Sequence, residues 1–303
     1  MMLNQAFYLN DRITLRSGHR IMTLEEPVVM GILNISPDSF FDGGKYVTVD
    51  SALKRAEQII EEGGRIIDIG AFSSRPGSIM ISEKEELDRL LPVLTALEKW
   101  FPEQPVSIDT FRAEVARIAA TDHGAWMIND ISGGNWEPGM FEMIAKLEVP
   151  YVMMHSKGMP EVMQKDPHYD TLFPEIIGYF SERVSRLRNM GFSDIIIDPG
   201  FGFGKTVEHN FSLLSGLENF RILGLPILVG LSRKSMIQKA LKINAENALN
   251  GTTVLQTIAL MKGAGILRTH DVKEAMQCIQ LLKIMIHSGS QEFANFTKNI
   301  KHS

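Results

Sequence analysis

Three polar side chains, those of Asp109, Asn129 and Asp198, each come at the end of a short apolar segment that is typical of a buried strand. A single aspartate in such a place more often caps the following helix than takes part in chemistry. If the strands belong to one parallel barrel, however, all three side chains project into the same mouth. Buried carboxylates need hydrogen-bond donors, and a ring that carries amino and NH groups would supply them in pairs. Lys234 adds a cation that would donate to a ring nitrogen or carbonyl.

A second group of candidates is basic. Arg75, Arg268 and His270 each follow an apolar segment, and the last two are two positions apart, so they share a face of an extended chain. Because the net charge is −5, cations that converge at one mouth indicate a local site for phosphate or diphosphate. For Arg75, a salt bridge at the edge of a loop is the alternative. Asn34 would offer a neutral oxygen to Mg²⁺, with diphosphate and water as the other ligands.

The segment at residues 200–206, GFGFGKT, looks like a phosphate-binding loop but fits neither glycine motif. The first glycine of GxxxxGK[ST] would fall at Pro199, and glycines two apart do not match GxGxxG. We expect these glycines to let the backbone pass close to a flat ligand, with Phe201 or Phe203 available to stack on it. The eight histidines show no HExxH spacing, and His155 is expected to be a polar residue at a strand end.

These residues are positioned by a repeated pattern of strand followed by helix. It begins with an apolar run at residues 28–33, which leads into a loop rich in polar residues, Pro and Gly. Eight βα units in roughly 250 residues favour an α/β fold, the (β/α)8 TIM barrel, whose active sites lie at the C-terminal ends of the strands. A doubly wound open sheet is the alternative, but neither a switch point nor a second-domain linker is visible. The polar ends of the eight predicted strands lie near Asn34, Asp68, Asp109, Asn129, His155, Asp198, Ser232 and Arg268.

Residues 5–25 are expected to form a short N-terminal β-hairpin element that plugs the bottom of the barrel, because their apolar segments are separated by turn residues. The sequence therefore predicts an N-terminal β element over residues 1–27, a single barrel domain over residues 28–290 and a C-terminal tail over residues 291–303.

The composition excludes several classes of protein. A chain of 303 residues, 44% hydrophobic and 22% charged, is long enough for one large α/β domain, and its mixed charges give no general field for nucleic acid or membrane. Cys278 is the only cysteine, which excludes an internal disulfide and argues against a thiolate metal cluster. The first residues lack a signal-peptide pattern, and no apolar run approaches the ~18 residues of a membrane span. We therefore expect a cytoplasmic protein without nucleic-acid or membrane partners.

Seven short motifs resemble those of the dihydropteroate synthase family, in order and in spacing, over about residues 28–290. They are NISPDSFFDGG, IDIGAFSSRPGS, SIDT, INDISGG, IDPGFGFGK, LVGLSRKSMI and RTHDV. The resemblance implies a transferase of folate biosynthesis that joins p-aminobenzoate to (7,8-dihydropterin-6-yl)methyl diphosphate and releases diphosphate. It also implies Mg²⁺ as cofactor, sulfonamides as inhibitors that mimic p-aminobenzoate, and a homodimer, for which a helix near residues 252–262 offers small and apolar residues.

The resemblance also assigns roles to residues of this sequence. The pterin would be held by Asp109, Asn129, Asp198 and Lys234. The diphosphate would be held by Asn34, Ser74, Arg75, Arg268 and His270, with Mg²⁺ at Asn34. The p-aminobenzoate pocket, between loops at residues 38–44 and 72–77, would consist of Phe40, Ser74, Arg75, Pro76, Phe203 and Ser235. Lys234 and Asp42 would be catalytic. Asp42 would stabilise the positive charge left on the pterin methylene as diphosphate departs, and the aniline nitrogen would then attack.

The sequence departs from the family in the second loop, where GESTRPG is usual. Phe72 replaces the glutamate, and Ser74 replaces the threonine while it keeps the hydroxyl. The change at Phe72 puts loop contacts and the response to sulfonamides in question, but not the reaction.

Two alternatives stay open. A pterin-dependent methyltransferase is disfavoured by the first loop and by the motifs SRKS and RTHDV, and a non-catalytic pterin-binding paralogue has only Phe72 in its support.

Overall fold

A computed structural model describes residues 13–35, 48–72, 80–159 and 167–300, with side chains of the last helix described as far as residue 288. Its strands are β1 (Ile13–Ser17), β2 (Arg20–Leu24), β3 (Val28–Asn34), β4 (Ile66–Gly70), β5 (Val106–Asp109), β6 (Met127–Asp130), β7 (Tyr151–Met154), β8 (Ile195–Asp198), β9 (Leu228–Val229) and β10 (Ile266–Thr269). The last eight form one parallel sheet in the order β8-β7-β6-β5-β4-β3-β10-β9. A parallel bridge between Ile197 and Ile227 joins the two ends of this order. The strands therefore close into a barrel, which confirms the predicted (β/α)8 fold and excludes the open doubly wound sheet.

Helices cover the outside of the barrel. Within the described residues they are α1 (Val49–Glu61), α2 (Glu83–Trp100), α3 (Ala113–His123), α4 (Met140–Leu147), α5 (Leu172–Asn189), α6 (Val207–Ser215), α7 (Ser235–Leu241), α8 (Leu249–Met261) and α9 (Val272–Ile300), with 3-10 turns at Leu217–Leu223 and Glu246–Ala248. Ser82 caps the start of α2, because its hydroxyl accepts from the Glu85 amide at 3.2 Å.

Side chains alternate between the two faces of each barrel strand. Outward-facing residues such as Ile67 and Ile69 join the core beneath the helices, whereas inward-facing Ile66 lies in a separate cluster inside the barrel. In β4 the inward position after Ile66 is Asp68, and in β10 the position after Ile266 is Arg268. The barrel interior therefore changes from apolar at the bottom to charged at the C-terminal ends of the strands.

The predicted hairpin lies at the bottom of the barrel. Strands β1 and β2 pair antiparallel, with Ser17 opposite Arg20. Their buried side chains Leu15, Met22 and Leu24 pack against the interior cluster that contains Ile66. The part of this predicted element before residue 13 lies outside the described residues.

The last helix, α9 (Val272–Ile300), continues through residue 290, where the sequence predicts the barrel domain to end. The three-part division of the chain stays a prediction. Among the helices that the structure describes, none combines the length and the apolar character that crossing a membrane requires.

Candidate active site

The pterin-site candidates from three strands converge at the barrel mouth. Asp109 is in register with Gly70 on one side and with Asn129 on the other, and Asp198 is in register with Met154. Asp109, Asn129 and Asp198 are all buried. These side chains need partners, because an unpaired polar group in a protein interior is costly.

One guanidinium joins two of the acidic residues. Arg268 donates from Nε to Oδ2 of Asp68 at 2.7 Å and from Nη2 to Oδ2 of Asp109 at 2.8 Å. The same Asp68 oxygen accepts from Nδ2 of Asn129 at 3.1 Å. The sequence did not identify Asp68 as a site residue, although it lies at one of the eight predicted strand ends. It is fully buried and orients two candidate binding residues.

Two carboxylate oxygens in this network remain unused. Oδ1 of Asp68 and Oδ1 of Asp109 are buried and find no hydrogen-bond partner among the described residues. Burial raises the pKa of Asp109 to about 7, against the opposing effect of Arg268. Asp109 is therefore a carboxylate that changes charge near neutral pH and has one oxygen available to a ligand donor.

Lys234 lies between β9 and α7, and β9 pairs with β10, the strand that carries Arg268. Its ammonium donates to the carbonyl oxygen of Phe201 and lies 4.4 Å from the centre of the Phe203 ring. Burial lowers the pKa of Lys234 to about 8, while the charge of Asp198 acts in the opposite direction. Burial likewise raises the pKa of Asp198, which Lys234 and the amide of Gly200 counteract. The structure thus places a partly buried cation, Lys234, close enough to the buried carboxylate of Asp198 for each charge to favour the other.

The glycine-rich loop follows Asp198 and passes close to the site. Gly200, Gly202 and Gly204 have φ angles of +71°, +81° and +61°. Residues that carry a side chain rarely adopt such positive φ angles. A side-chain carbon at Gly202 would lie 3.2 Å from Cδ of Lys234. The glycines therefore let the loop turn and lie against the lysine chain.

The loops after β9 and β10 are tied together at the rim. Arg233 donates to both carboxylate oxygens of Asp271, at 3.0 and 2.7 Å, and holds a left-handed φ of +53°. His270 is exposed and donates its amide to the Ser232 hydroxyl at 3.3 Å. The sequence did not identify Arg233 or Asp271, which position the loops that carry Lys234 and His270.

Asn34 ends β3 beside Asp109. A side-chain carbon at Gly70 would lie 3.4 Å from Oδ1 of Asn34 and 3.6 Å from Oδ2 of Asp109, so both oxygens face the same space. Among the described residues, no group of three His, Cys, Asp or Glu side chains could hold a metal ion. A metal here would need most of its ligands from substrate and water, which suits Mg²⁺.

Phe72 is buried in an aromatic cluster at the rim. Its ring meets Phe111 edge-on at 5.4 Å between centroids, and Phe111 meets Trp136 at 5.2 Å. The guanidinium of Arg112 lies 4.6 Å from the centre of the Phe111 ring and is paired with buried Glu86. The phenylalanine that departs from the family pattern is thus part of the apolar packing at the ends of β4 and β5.

Two further candidates for the p-aminobenzoate pocket can be placed. Phe203 packs against the cluster of Phe72, and Ser235 is the exposed first residue of α7. Ser235 also lines a pocket of about 280 Å³ with Lys205, Thr206 and Lys239 among others. The remaining candidates, Phe40, Asp42, Ser74, Arg75 and Pro76, lie outside the described residues, as do most of the two loops that contain them.

Comparison with known proteins shows the family. The model of the family described as "Pterin binding enzyme" matches residues 30–270. A dihydropteroate synthase of Escherichia coli (strain K12) is 43% identical over 264 residues, which is 86% of this chain and 93% of that protein.

Two solved structures have the same fold over nearly all of the chain. The Yersinia pestis dihydropteroate synthase, solved with a sulfonamide drug complex, is 40% identical with a TM-score of 0.86, covering 91% of this chain and 100% of that one. The Xanthomonas albilineans enzyme in complex with 7,8-dihydropteroate is 36% identical with a TM-score of 0.79, covering 90% of this chain and 98% of that one. By sequence, by fold and by the buried polar residues at its barrel mouth, the chain belongs to the dihydropteroate synthase family of pterin-binding enzymes.

Proposed function

We propose that the buried polar ring at the barrel mouth binds (7,8-dihydropterin-6-yl)methyl diphosphate and that the chain transfers its pterin methylene group to p-aminobenzoate. One observation carries this proposal. Asp109, Asn129, Asp198 and Lys234 combine acidic, amide and basic groups around one mouth. The Xanthomonas albilineans relative binds 7,8-dihydropteroate, which contains both substrate halves.

Pterin recognition follows from the donors and acceptors available. The amino and NH groups of the pterin ring form a guanidine-like edge, which suits the open Oδ1 of Asp109 and the carboxylate of Asp198. Lys234 donates to a ring nitrogen or to the ring carbonyl. Gly230 faces inward at the end of β9, and a side-chain carbon there would meet nothing within 4 Å. The pterin ring is proposed to lie in this space, against the backbone.

The diphosphate is proposed to lie at the rim of the mouth. Among the described residues there, Arg268 supplies positive charge and His270 a neutral ring N–H donor, and Ser74 and Arg75 from the second loop complete the set. Mg²⁺ is proposed at Asn34, whose oxygen faces the same space as Asp109. When bound, the metal would neutralise charge on the departing diphosphate.

The proposed reaction requires little proton transfer by the side chains of the protein. As diphosphate departs, positive charge develops on the pterin methylene, and Asp42 is proposed to stabilise it. The aniline nitrogen of p-aminobenzoate is already a nucleophile. It forms the C–N bond once the C–O bond to diphosphate has broken, and the resulting anilinium releases its proton to water, so no strong general base is needed. Lys234 keeps the ring in place during this step.

The p-aminobenzoate pocket is proposed between the loops and the mouth, with Phe203 as its described wall and Ser235 at its outer end. Phe40, Ser74, Arg75 and Pro76 would contribute from the two loops. Sulfonamides are proposed to occupy the same pocket, since the Yersinia pestis relative was solved with a sulfonamide drug complex.

The direct test is to incubate the protein with Mg²⁺, the pterin diphosphate and p-aminobenzoate and to look for dihydropteroate by mass spectrometry. We expect product with the wild type and with Lys146→Ala, which changes an exposed lysine on α4, and little or none with Lys234→Ala. Tight pterin binding without product in the wild type would favour a non-catalytic paralogue. In a separate incubation, methyl transfer from a methylated folate to a corrinoid protein would favour the methyltransferase instead.

A homodimer through the late helices is also proposed. Val254 and Met261 on α8 and Leu281, Ile284 and Met285 on α9 are exposed apolar side chains, and exposed apolar patches often mark contact surfaces. Sedimentation of the wild type and of Ile284→Glu tests this, with a monomeric variant as the expected result. A cytoplasmic location is proposed as well and can be tested by cell fractionation.

A further inference from the structure

Lys205 is a buried cation that the reaction proposed above does not use. It is 3% exposed and directly follows the glycine-rich loop. Its ammonium lies 3.0 Å from Nδ1 of His155, 3.0 Å from the carbonyl oxygen of Gly200 and 3.1 Å from that of Phe203. The carbonyl oxygen of His155 lies at 3.5 Å as well, so the three N–H donors of the charged lysine meet four acceptors. No donor remains for a ligand, so Lys205 acts on the loop rather than on substrate.

His155 must be neutral to accept this hydrogen bond. Burial, together with the charge of Lys205, lowers the pKa of His155 to about 2. The ring is held edge-on to Tyr179, with 4.8 Å between the ring centres. His155 is therefore a fixed acceptor at the end of β7, which gives the lysine one defined position.

The loop around this ammonium is held at several points. The amide of Gly202 donates to Oδ1 of Asn210 at 2.7 Å, and the carbonyl oxygen of Gly204 accepts from Tyr169 at 3.0 Å. At Gly200 a side-chain carbon would lie 2.0 Å from the carbonyl oxygen of His155. The loop can therefore pack this closely onto β7 only with glycine at that position.

The same loop contacts two of the proposed pterin residues. The Phe201 carbonyl oxygen accepts from Lys234, and the Gly200 amide donates to Oδ1 of Asp198 at 2.8 Å. Lys205 holds the carbonyl oxygens on either side of Phe201, at Gly200 and Phe203. A shift of this loop would move the acceptor of Lys234 and a donor to Asp198 together.

We propose that Lys205 and His155 are positioning residues for the pterin site, which set Lys234 and Asp198 by fixing the loop at residues 200–204. This rests on the proposed role of Lys234 and Asp198 in holding the pterin. The competing explanation is that Lys205 is a buried lysine that only stabilises the fold. The two explanations predict different effects of Lys205 on pterin affinity when Lys234 is absent.

The test combines Lys205→Met with Lys234→Ala in a double-mutant cycle. Binding of the pterin diphosphate is measured by calorimetry, and thermal unfolding reports on the fold. We expect Lys205→Met to weaken binding about 10- to 100-fold in the wild type, as a displaced site residue does, and by a smaller factor in Lys234→Ala, where only the effect through Asp198 remains. An equal loss in both backgrounds, or no loss in the wild type, would overturn the proposal.

A second pair of variants covers the case in which Lys205→Met does not fold. His155→Asn keeps an acceptor near the position of Nδ1, whereas His155→Leu removes it. The positioning role predicts that His155→Asn binds the pterin diphosphate about as tightly as the wild type and that His155→Leu binds it more weakly. Equal affinities of the two variants would contradict it. Turnover by the wild type is measured alongside, because its absence would remove the proposed reaction rather than this assignment.

Discussion

The guanidinium of Arg268 donates to Oδ2 of Asp109 at 2.8 Å. The same carboxylate is proposed to bind the guanidine-like edge of the pterin. Arg268 thus presents to Asp109 the same kind of planar N–H donor as the proposed ligand. Oδ1 of Asp109 remains buried without a partner among the described residues. A bound ring that donates to this oxygen relieves a cost of about 1–3 kcal/mol.

Replacing this carboxylate should therefore weaken pterin binding strongly. We expect Asp109→Asn to cost about 2–3 kcal/mol of binding free energy, because the amide keeps the shape but loses the charge that Arg268 and the pterin share. Calorimetric titration with the pterin diphosphate measures this. Asp88→Asn, an exposed position on α2, is the matched control and should bind like the wild type. Affinity unchanged in Asp109→Asn would place the pterin elsewhere.

The pH dependence of kcat/KM for the pterin diphosphate should be bell-shaped and narrow. Asp109, with a pKa of about 7, must lose its proton to accept from the ring, so activity rises as the pH increases through 7. Lys234, with a pKa of about 8, must keep its proton to donate, and so must Lys205, whose pKa burial lowers to about 7, so activity falls as the pH rises through 7 and 8. A steady-state profile from pH 5.5 to pH 10 tests both limbs, with the range chosen to span about two units on each side. If the fall in kcat/KM at alkaline pH disappears in Lys234→Met, that fall is assigned to Lys234. An unchanged fall would show that Lys234 does not cause it.

Removing Asp68 should destabilise the fold through Arg268. Asp68→Ala leaves the Arg268 guanidinium with one carboxylate instead of two, and breaking a buried pair in this way costs about 3–5 kcal/mol. Urea unfolding measures the loss. Asp68→Ala combined with Arg268→Met removes both charges and should recover part of it, whereas losses that simply add would show that the two residues act independently.

The residue usual in the family should be unfavourable at position 72 of this chain. Phe72→Glu would bring a carboxylate into the apolar cluster with Phe111, where a buried charge without a partner is costly. We expect a loss of more than about 3 kcal/mol in unfolding free energy, against about 1 kcal/mol for the control Phe72→Leu. Equal stability of Phe72→Glu and the wild type would mean that the side chain reaches solvent or a cation.

Asp42 should act on the transition state rather than on binding. Its proposed partner charge develops only as diphosphate leaves, so Asp42→Ala should lower kcat more than it lowers pterin affinity. Single-turnover rates and binding constants separate the two effects. Equal losses in rate and affinity would contradict the cation-stabilising role.

The barrel and the meeting of Asp109, Asn129 and Asp198 could be predicted because both follow from local pattern. Apolar runs that end in a polar residue specify strands and direction, and closure brings their ends together. The pairing of Arg268 with Asp68 could not be predicted this way, since the two residues are 200 positions apart and no local pattern links them. Lys205 was visible only as part of a misleading glycine motif. Its function depends on acceptors at His155, Gly200 and Phe203, which only the folded loop brings to one point.

The hairpin of β1 and β2 gives the barrel one open end. Leu15, Met22 and Leu24 fill the bottom, so ligands reach the buried carboxylates from the C-terminal ends of the strands. Under the proposed assignment the pterin lies deeper than p-aminobenzoate in that single passage. The deeper substrate must then enter first, and p-aminobenzoate bound alone would obstruct it. The architecture therefore predicts that the two substrates bind in a fixed order, with the pterin diphosphate first. Steady-state kinetics would show this as inhibition by excess p-aminobenzoate that a higher concentration of pterin diphosphate relieves.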